Sequence, residues 1–144
     1  MRVYLDNCCF NRPFDDQRQI KIRIETEAKL FVQEKIRDKQ VELVWSYILE
    51  FENENNPFEE RKNAIRKWKK IASIDLDEKR EIIDEAKMLE KSGIKAKDAL
   101  HVACAVYSQC EYFVTTDEEI IHKLSDYNKI KIVNPVSLID KIEG

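Results

Sequence analysis

Two short apolar runs, near opposite ends of the chain, each lead into an aspartate. Residues 2–5 precede Asp6, and residues 112–114 precede Thr115, Thr116 and Asp117. Both runs favour β-strands, and open α/β sheets bind their ligands in the crevice outside the carboxyl ends of the strands. We therefore predict that both carboxylates lie at one edge of a sheet, as in a site for a hard cation.

Strand-like and helix-like segments alternate between these two runs. Further strands are predicted at residues 41–45 and 130–133, with a weakly marked one at 71–74, whereas residues 7–17 read as an irregular polar segment. Helices are predicted at 18–38, 48–52, 57–71, 77–89, 95–109, 117–124 and after 135. Strands separated by helices indicate an α/β fold with parallel pairing and helices on both faces of the sheet.

Length and composition indicate one globular, helix-rich domain that spans residues 1–144. A chain of 144 residues is long enough to bury a core, and it contains 43% hydrophobic residues and only two glycines. The 25 basic residues nearly balance the 28 acidic ones, so a nucleic-acid site must be a local patch. No early apolar segment approaches the ~20 residues that span a bilayer, and we expect a cytoplasmic protein with no membrane contact.

The four cysteines, Cys8, Cys9, Cys104 and Cys110, form no CxxC pair. In a reducing compartment we expect them to be small buried thiols, and we do not expect zinc.

Two further acids accompany helical segments. Asp98 leads into an apolar helix, where a carboxylate is costly unless it caps the helix, is paired or binds a metal. Taken alone, Asp98 is best explained as a cap. Helical spacing separates Glu50 from Glu52 by ~200°, and Glu52 follows the inward-facing Leu49 by three positions, which makes Glu52 the better candidate.

Four segments, in this order, resemble those of PIN domains, which are small α/β metal-dependent ribonucleases and include the toxins of many prokaryotic toxin–antitoxin pairs. They are residues 3–7 (VYLDN), 46–52 (SYILEFE), 98–103 (DALHVA) and 114–119 (VTTDEE). The resemblance implies a PIN-like three-layer α/β/α fold with a small, mainly parallel central sheet of four to five strands. It also implies RNA as substrate, an antitoxin protein as partner and a homodimer. The chain departs from the family at Asn7 and Cys8, where many members have Thr or Ser followed by Asn or Ser.

The resemblance also implies an acidic site. Its catalytic and metal-binding set falls on Asp6, Glu52, Asp98 and Asp117, with Glu119 and Glu50 as secondary acids. Unit charges ~4 Å apart repel by about 4 kcal/mol at an effective dielectric near 20, so converging carboxylates need a cation or retained protons. All-oxygen ligation favours Mg²⁺ or Mn²⁺. We expect RNA hydrolysis by metal-activated water, with Glu52 as a ligand or as the base that orients the water.

Several polar side chains are weaker candidates for substrate binding. Arg12 either contacts the scissile phosphate or pairs with Asp15 or Asp16, and both interpretations stay open. Thr115 and Thr116 either orient the following aspartate or a water, or simply end a strand.

A basic cluster and one histidine are also open to two interpretations. Lys67 and Lys70 belong to a cluster that either holds RNA phosphates, with Trp68 stacked on a base, or forms a solvated helix face with Trp68 in the core, which we prefer. His101 lies one turn after Asp98 and either touches the site or is packed and hydrogen-bonded to backbone, which we prefer.

Two other functions remain as alternatives. A non-enzymatic RNA- or protein-binding module of the same fold would use the carboxylates only structurally. A phosphatase-like hydrolase with Asp6 as nucleophile is the weaker alternative, because Cys8 stands where that chemistry usually places a second aspartate.

Overall fold

A computed structural model describes the whole chain, from Met1 to Gly144. Its strands are β1 (Arg2–Leu5), β2 (Glu42–Ser46), β3 (Ile74–Leu76), β4 (Tyr112–Val114) and β5 (Lys131–Val133). They form one five-stranded sheet in the order β3-β2-β1-β4-β5, and every neighbouring pair is parallel. The predicted parallel sheet is confirmed.

Helices flank this sheet and complete the predicted three-layer α/β/α architecture. They are α1 (Asn7–Asn11), α2 (Ile20–Arg37), α3 (Tyr47–Glu54), α4 (Glu59–Ile71), α5 (Arg80–Glu90), α6 (Ala96–Tyr107), α7 (Glu118–Lys123) and α8 (Pro135–Glu143). None of them combines the length and apolarity needed to cross a bilayer.

The central strand β1 has its residues in register with both neighbours. Tyr4 lies opposite Val44 of β2 and opposite Phe113 of β4. Because the strands are parallel, their carboxyl ends meet at one edge, where the Asp6 N–H donates to the carbonyl oxygen of Val114 at 2.9 Å. The residues that follow β1 and β4 are therefore immediate neighbours.

Side chains alternate between the two faces of the sheet. On one face Tyr4 contacts His101 of α6, with ring centroids 5.7 Å apart. On the other face Trp45 packs against Phe10 of α1, also with centroids 5.7 Å apart. Tyr4 and Trp45 are both fully buried, so each helical layer packs on a large side chain whose burial contributes roughly 1.5–3 kcal/mol.

The prediction of an irregular segment over residues 7–17 is wrong for its first half. The Asp6 carboxylate accepts a hydrogen bond from the Asn7 N–H and caps α1, whose Cys9 and Phe10 are buried. A single 3₁₀ turn, Arg12–Phe14, follows. One polar side chain and two buried residues are enough to stabilise a helix too short for a periodicity to reveal.

Two other boundaries differ from the sequence prediction. The third strand lies at Ile74–Leu76 rather than at residues 71–74. Helix α5 begins at Arg80 rather than at Asp77, and Lys79 is its N-cap residue. Gly93, with φ of +87°, adopts the left-handed conformation in the turn after α5.

All four cysteines are free. Cys9, Cys104 and Cys110 are buried thiols, as the sequence predicts, whereas Cys8 is only half-buried.

Lys29 is a buried amine between α2 and α4. Its side chain is only 4% exposed, and its Nζ lies 5.6 Å from the ring centroid of Phe10 and 6.0 Å from that of Trp68. Burial, the largest effect, and the positive charge of Arg37 together lower the pKa of Lys29 to about 7, although Cys9 opposes the shift. The folded chain therefore gives up a proton that the unfolded chain keeps up to about pH 10.

We expect the Lys29→Met variant to be more stable than the unaltered chain near pH 6, because methionine keeps the apolar stem without the amine. The free energy of unfolding should rise by at most about 5 kcal/mol, at 1.36 kcal/mol per pKa unit. Since a lowered lysine pKa makes the unaltered chain more stable as the pH rises from about 7 to about 10, the gain should shrink over that range. Urea unfolding at several pH values measures it, with the exposed Lys87→Met as control. A gain that does not change with pH would contradict the lowered pKa.

Candidate functional site

The Asp6 carboxylate is held at the carboxyl edge of the two central strands. It is 6% exposed, and its Oδ1 accepts a hydrogen bond of 2.8 Å from the Asn7 N–H. Its Oδ2 accepts one of 2.8 Å from the Thr115 hydroxyl, whose oxygen in turn accepts from the Asp117 N–H at 3.1 Å. Thr115 therefore orients Asp6 with its side chain and fixes the backbone of Asp117.

Cys8 occupies the space between these groups. Its Sγ lies 3.5 Å from Asp6 Oδ2 and 3.4 Å from Thr115 Oγ1, and it accepts from the Thr116 N–H at 3.4 Å. The side chain of Thr116 is buried. Thr116 thus contributes its backbone to the site.

Asp98 is half-buried in the first turn of α6, and the prediction that it caps this helix is wrong. Lys95 is the N-cap residue and makes no side-chain capping bond. Asp98 instead lines a small cavity together with Asp117 and Glu119. Burial raises the pKa of Asp98, and the negative charges of Asp6, Asp117 and Glu52 add to this rise, while His101 opposes it.

Asp117 and Glu119 also have local structural roles. The Asp117 carboxylate caps α7 by accepting hydrogen bonds from the Glu119 N–H at 2.9 Å and from the Ile120 N–H at 3.4 Å. Glu119 forms an ion pair of 2.6 Å with Lys123, which lowers its pKa. Both residues are exposed.

The acidic residues bring suitable oxygen donors together without enclosing a metal position. No three acidic, histidine or cysteine side chains of the chain converge closely enough to hold an ion among themselves. Mg²⁺ is usually bound through one or two carboxylates plus waters and substrate phosphates, not by a closed protein cage. Carboxylate oxygens are the donors that Mg²⁺ and Mn²⁺ prefer, and Asp6 and Asp98 are the residues that could supply them here.

Glu52 is attached to the core by His101, so the prediction of a histidine bonded to backbone is wrong. His101 is 1% exposed, and its Nε2 forms a hydrogen bond with Glu52 Oε1. Its Nδ1 lies 2.6 Å from the Tyr4 hydroxyl, which lies 2.6 Å from Ser46 Oγ. Ser46 also accepts from the Leu49 N–H at 3.3 Å and caps α3.

The pKa values of this pair favour a charged imidazolium beside a charged carboxylate. Burial lowers the pKa of His101, but the hydrogen bond to Glu52 and the negative charges of Asp6, Glu52 and Asp98 outweigh it and raise the pKa. Burial raises the pKa of Glu52, but His101, Lys97 and a hydrogen bond of 3.2 Å from Asn7 Nδ2 outweigh it and lower the pKa. Glu52 is therefore ionised at neutral pH.

Glu50 faces away from these acids. Its Oε2 accepts from Trp45 Nε1 at 3.0 Å and lies 3.4 Å from Lys69 Nζ. Of Glu50 and Glu52, Glu52 is thus the one whose charge acts on Asp98. Whether either acts in catalysis stays a prediction.

Arg12 is held in ion pairs. Its guanidinium lies 3.0 Å from Glu25 and 3.1 Å from Asp15. These contacts agree with the pairing interpretation for Asp15, while Asp16 pairs with Arg18. A contact between Arg12 and a phosphate stays a prediction.

The structure does not bring Lys67 and Lys70 to the acidic residues. Lys70 borders a hollow with Val41 and Glu42, at the amino end of β2 and hence at the opposite edge of the sheet. Lys67 borders a cavity between α2 and α4. Trp68 is 6% exposed and packs in the core, which agrees with the preferred interpretation of this cluster.

Removing the Tyr4 hydroxyl tests the buried hydrogen-bond chain. The Tyr4→Phe variant leaves His101 Nδ1 and Ser46 Oγ without this partner, and we expect a loss of roughly 1–3 kcal/mol in the free energy of unfolding. Urea unfolding measures it, with the exposed Tyr107→Phe as a matched control. Equal free energies of unfolding for the two variants would show that the hydrogen bonds of the Tyr4 hydroxyl do not stabilise the fold.

Asp98→Asn tests the repulsion among the carboxylates. The helix dipole favours an acid at this position by about 0.3–1 kcal/mol, but the raised pKa of Asp98 indicates that burial and repulsion are larger. A raised aspartate pKa makes the ionised form destabilising, so the variant should melt at a higher temperature at neutral pH in a metal chelator. The gain should vanish as the pH falls below about 4, where Asp98 is protonated in both states. A lower melting temperature at neutral pH would show instead that the ionised carboxylate of Asp98 stabilises the fold.

Comparison with known proteins identifies the fold. No family model and no curated protein matches the chain. Among solved structures, it is similar to VapBC-1 from nontypeable Haemophilus influenzae, with a TM-score of 0.60, 17% identity, and coverage of 94% of this chain and 98% of the other. It is also similar to VapBC2 from Rickettsia felis bound to a promoter DNA fragment, with a TM-score of 0.59, 14% identity, and coverage of 93% and 98%. Identities this low show the fold alone, and the chain has the PIN-like fold that its sequence predicts.

Proposed function

We propose that this chain is a Mg²⁺- or Mn²⁺-dependent endoribonuclease and the toxin of a toxin–antitoxin pair. One geometric observation carries the proposal, namely that Asp117 connects the other two aspartates. Its backbone is bound by Thr115 beside Asp6, and its side chain lines the same cavity as Asp98. The fold shared with two toxin–antitoxin complexes supports the same function.

Asp6 and Asp98, with Asp117 beside them, are the residues that would hold the ion. A carboxylate offers about four lone-pair positions, and the hydrogen bonds to Asp6 from Asn7 and Thr115 use only some of them. When bound, the ion would lower the pKa of a water, polarise a phosphoryl oxygen and offset the charge on the leaving group. The fixed orientation of Asp6 reduces the cost of ordering it when RNA binds.

Glu52 orients the attacking water in this mechanism. Its Oε1 is bonded to His101, and its Oε2 accepts from Asn7, so the carboxylate cannot rotate freely. A carboxylate with a lowered pKa is ionised but is a weak base. Glu52 therefore positions water by accepting a hydrogen bond from it, and His101 stabilises the negative charge at Oε1.

The partner proposed for this toxin is an antitoxin protein, as in the two related complexes. A homodimer remains a prediction from the resemblance. A non-enzymatic RNA- or protein-binding module remains the second candidate, because Asp117 and Glu119 already have local structural roles.

Adding Mg²⁺ or Mn²⁺ should raise the melting temperature and start cleavage of a mixed-sequence single-stranded RNA. We expect the Asp6→Asn/Asp98→Asn double variant to lose both effects, with cleavage slowed at least ~100-fold, since it lacks the main ligands. Differential scanning fluorimetry and gel analysis of the RNA measure the two effects. The exposed pair Asp126→Asn/Asp140→Asn is the matched control.

Two results would contradict this function. If the double variant cleaved RNA as the unaltered chain does, the cleavage would not depend on these acids. If the metal changed neither melting temperature nor RNA in any variant, the binding-module alternative would replace the nuclease.

A further inference from the structure

A groove of about 530 Å³ opens beside Glu52 and leads away from the acidic site. It begins at Asn7 and Glu52, which are joined by a 3.2 Å hydrogen bond, and extends to Phe58 and Arg61 at the start of α4. A ligand in this groove would therefore continue directly into the acidic site.

Two phenylalanines of the groove are exposed to solvent. Phe51 is 54% exposed and Phe58 is 56% exposed, whereas Phe10 and Phe113 are fully buried. Each exposed ring lies beside a cation, since Lys97 Nζ is 5.5 Å from the centroid of Phe51 and the Arg61 guanidinium carbon is 4.6 Å from that of Phe58. Paired exposed rings beside a site indicate a binding surface rather than core packing.

The remaining wall of the groove consists mainly of asparagine amides. Asn56 is fixed there, because its Nδ2 donates to Asn11 Oδ1 at 3.3 Å and its Oδ1 accepts from the Phe58 N–H at 3.1 Å. Glu52, at the inner end, is the one acid that lines the groove. Rings that stack, cations and amides are together the groups that bind single-stranded nucleic acid.

We infer that this groove binds an unpaired stretch of RNA, with two bases stacked on Phe51 and Phe58 and neighbouring phosphates against Lys97 and Arg61. The inference rests on the proposed nuclease function, because the groove matters as the path that guides RNA to the acidic site. Bases within a duplex are covered on both faces by their neighbours, so a duplex cannot use these rings. The groove thus selects RNA whose bases near the cleaved bond are unpaired.

Binding is tested without cleavage, in the Asp6→Asn/Asp98→Asn background and with EDTA present. Fluorescence anisotropy measures the affinity for a short labelled single-stranded RNA, for the same RNA with abasic positions and for a duplex. The Phe51→Ala/Phe58→Ala pair should bind the intact single strand at least ~30-fold more weakly, with an unchanged salt dependence. The Phe51→Ala/Phe58→Ala variant and the background should have the same affinity for the abasic RNA, because this RNA has no base to stack on the rings.

A matched pair controls for general loss of exposed apolar surface. Met88 and Ile24 are 58% and 51% exposed and lie on other helices, so Met88→Ala/Ile24→Ala should leave the affinity unchanged. The Arg61→Gln/Lys97→Gln pair should instead weaken binding to intact and abasic RNA alike and reduce the slope of log K against log salt by about 1.4, at ~0.7 per phosphate contact on a single strand.

Four results would overturn the inference. The Phe51→Ala/Phe58→Ala variant could bind intact RNA with the same affinity as the background. Its affinity for abasic RNA could fall as much as its affinity for intact RNA. The background could also bind duplex with the same affinity as single-stranded RNA. A change in oligomeric state with unchanged RNA affinity would instead assign the rings to a protein interface, and it too would overturn the inference.

Cleavage assays separate this inference from the proposed function. If the otherwise unaltered chain cleaves RNA and Phe51→Ala/Phe58→Ala does so with the same kcat/KM, the groove proposal fails while the nuclease stands. If no RNA is cleaved but the loss of stacking is seen, the nuclease fails and the groove is an RNA-binding site.

Discussion

Parallel pairing of β1 with β4 places like charges next to one another, and the surrounding structure has to accommodate them. The register sets Asp6 beside Thr115, and Asp117 follows two residues later. The Asn7 N–H and the Thr115 hydroxyl stabilise the Asp6 carboxylate, and the N-terminus of α7 stabilises that of Asp117. Asp98 has no comparable bond, and burial first and the neighbouring negative charges second raise its pKa. Hydrogen bonds thus stabilise the carboxylates of Asp6 and Asp117, whereas burial and repulsion disfavour the ionised form of Asp98.

The negative charge of Glu52 is stabilised differently, by a hydrogen bond to the buried His101. When His101 is protonated, its Nε2–H donates to Glu52 and its Nδ1–H donates to the Tyr4 oxygen, which leaves the Tyr4 O–H to donate to Ser46. Both ring N–H groups of His101 and the Tyr4 O–H thus have acceptors, and these hydrogen bonds stabilise the buried charge of the imidazolium. The carboxylate at the site is thereby connected to the centre of the sheet.

Local sequence patterns predict most of the fold and the position of the acids. Apolar runs that end in Asp6 and Asp117 indicate the sheet edge, because strand residues and the turn after them are adjacent in sequence. Local patterns cannot predict the partners of His101, since Tyr4 lies 97 positions and Glu52 lies 49 positions away along the chain. The ion pairs of Arg12 and the opposite placement of Lys70 depend on tertiary packing in the same way. Helix α1 is missed because five residues are too few to show a period.

The buried bonds from Ser46 to Glu52 also restrict how this protein can change over generations. Ser46, Tyr4, His101 and Glu52 come from β2, β1, α6 and α3, and each one satisfies a polar atom of the next. A single replacement leaves a buried neighbour unsatisfied, whereas a matched replacement of two adjacent members can restore the bond. Substitutions at these four positions should consequently be correlated, because a replacement at one position is tolerated when its bonded neighbour changes with it.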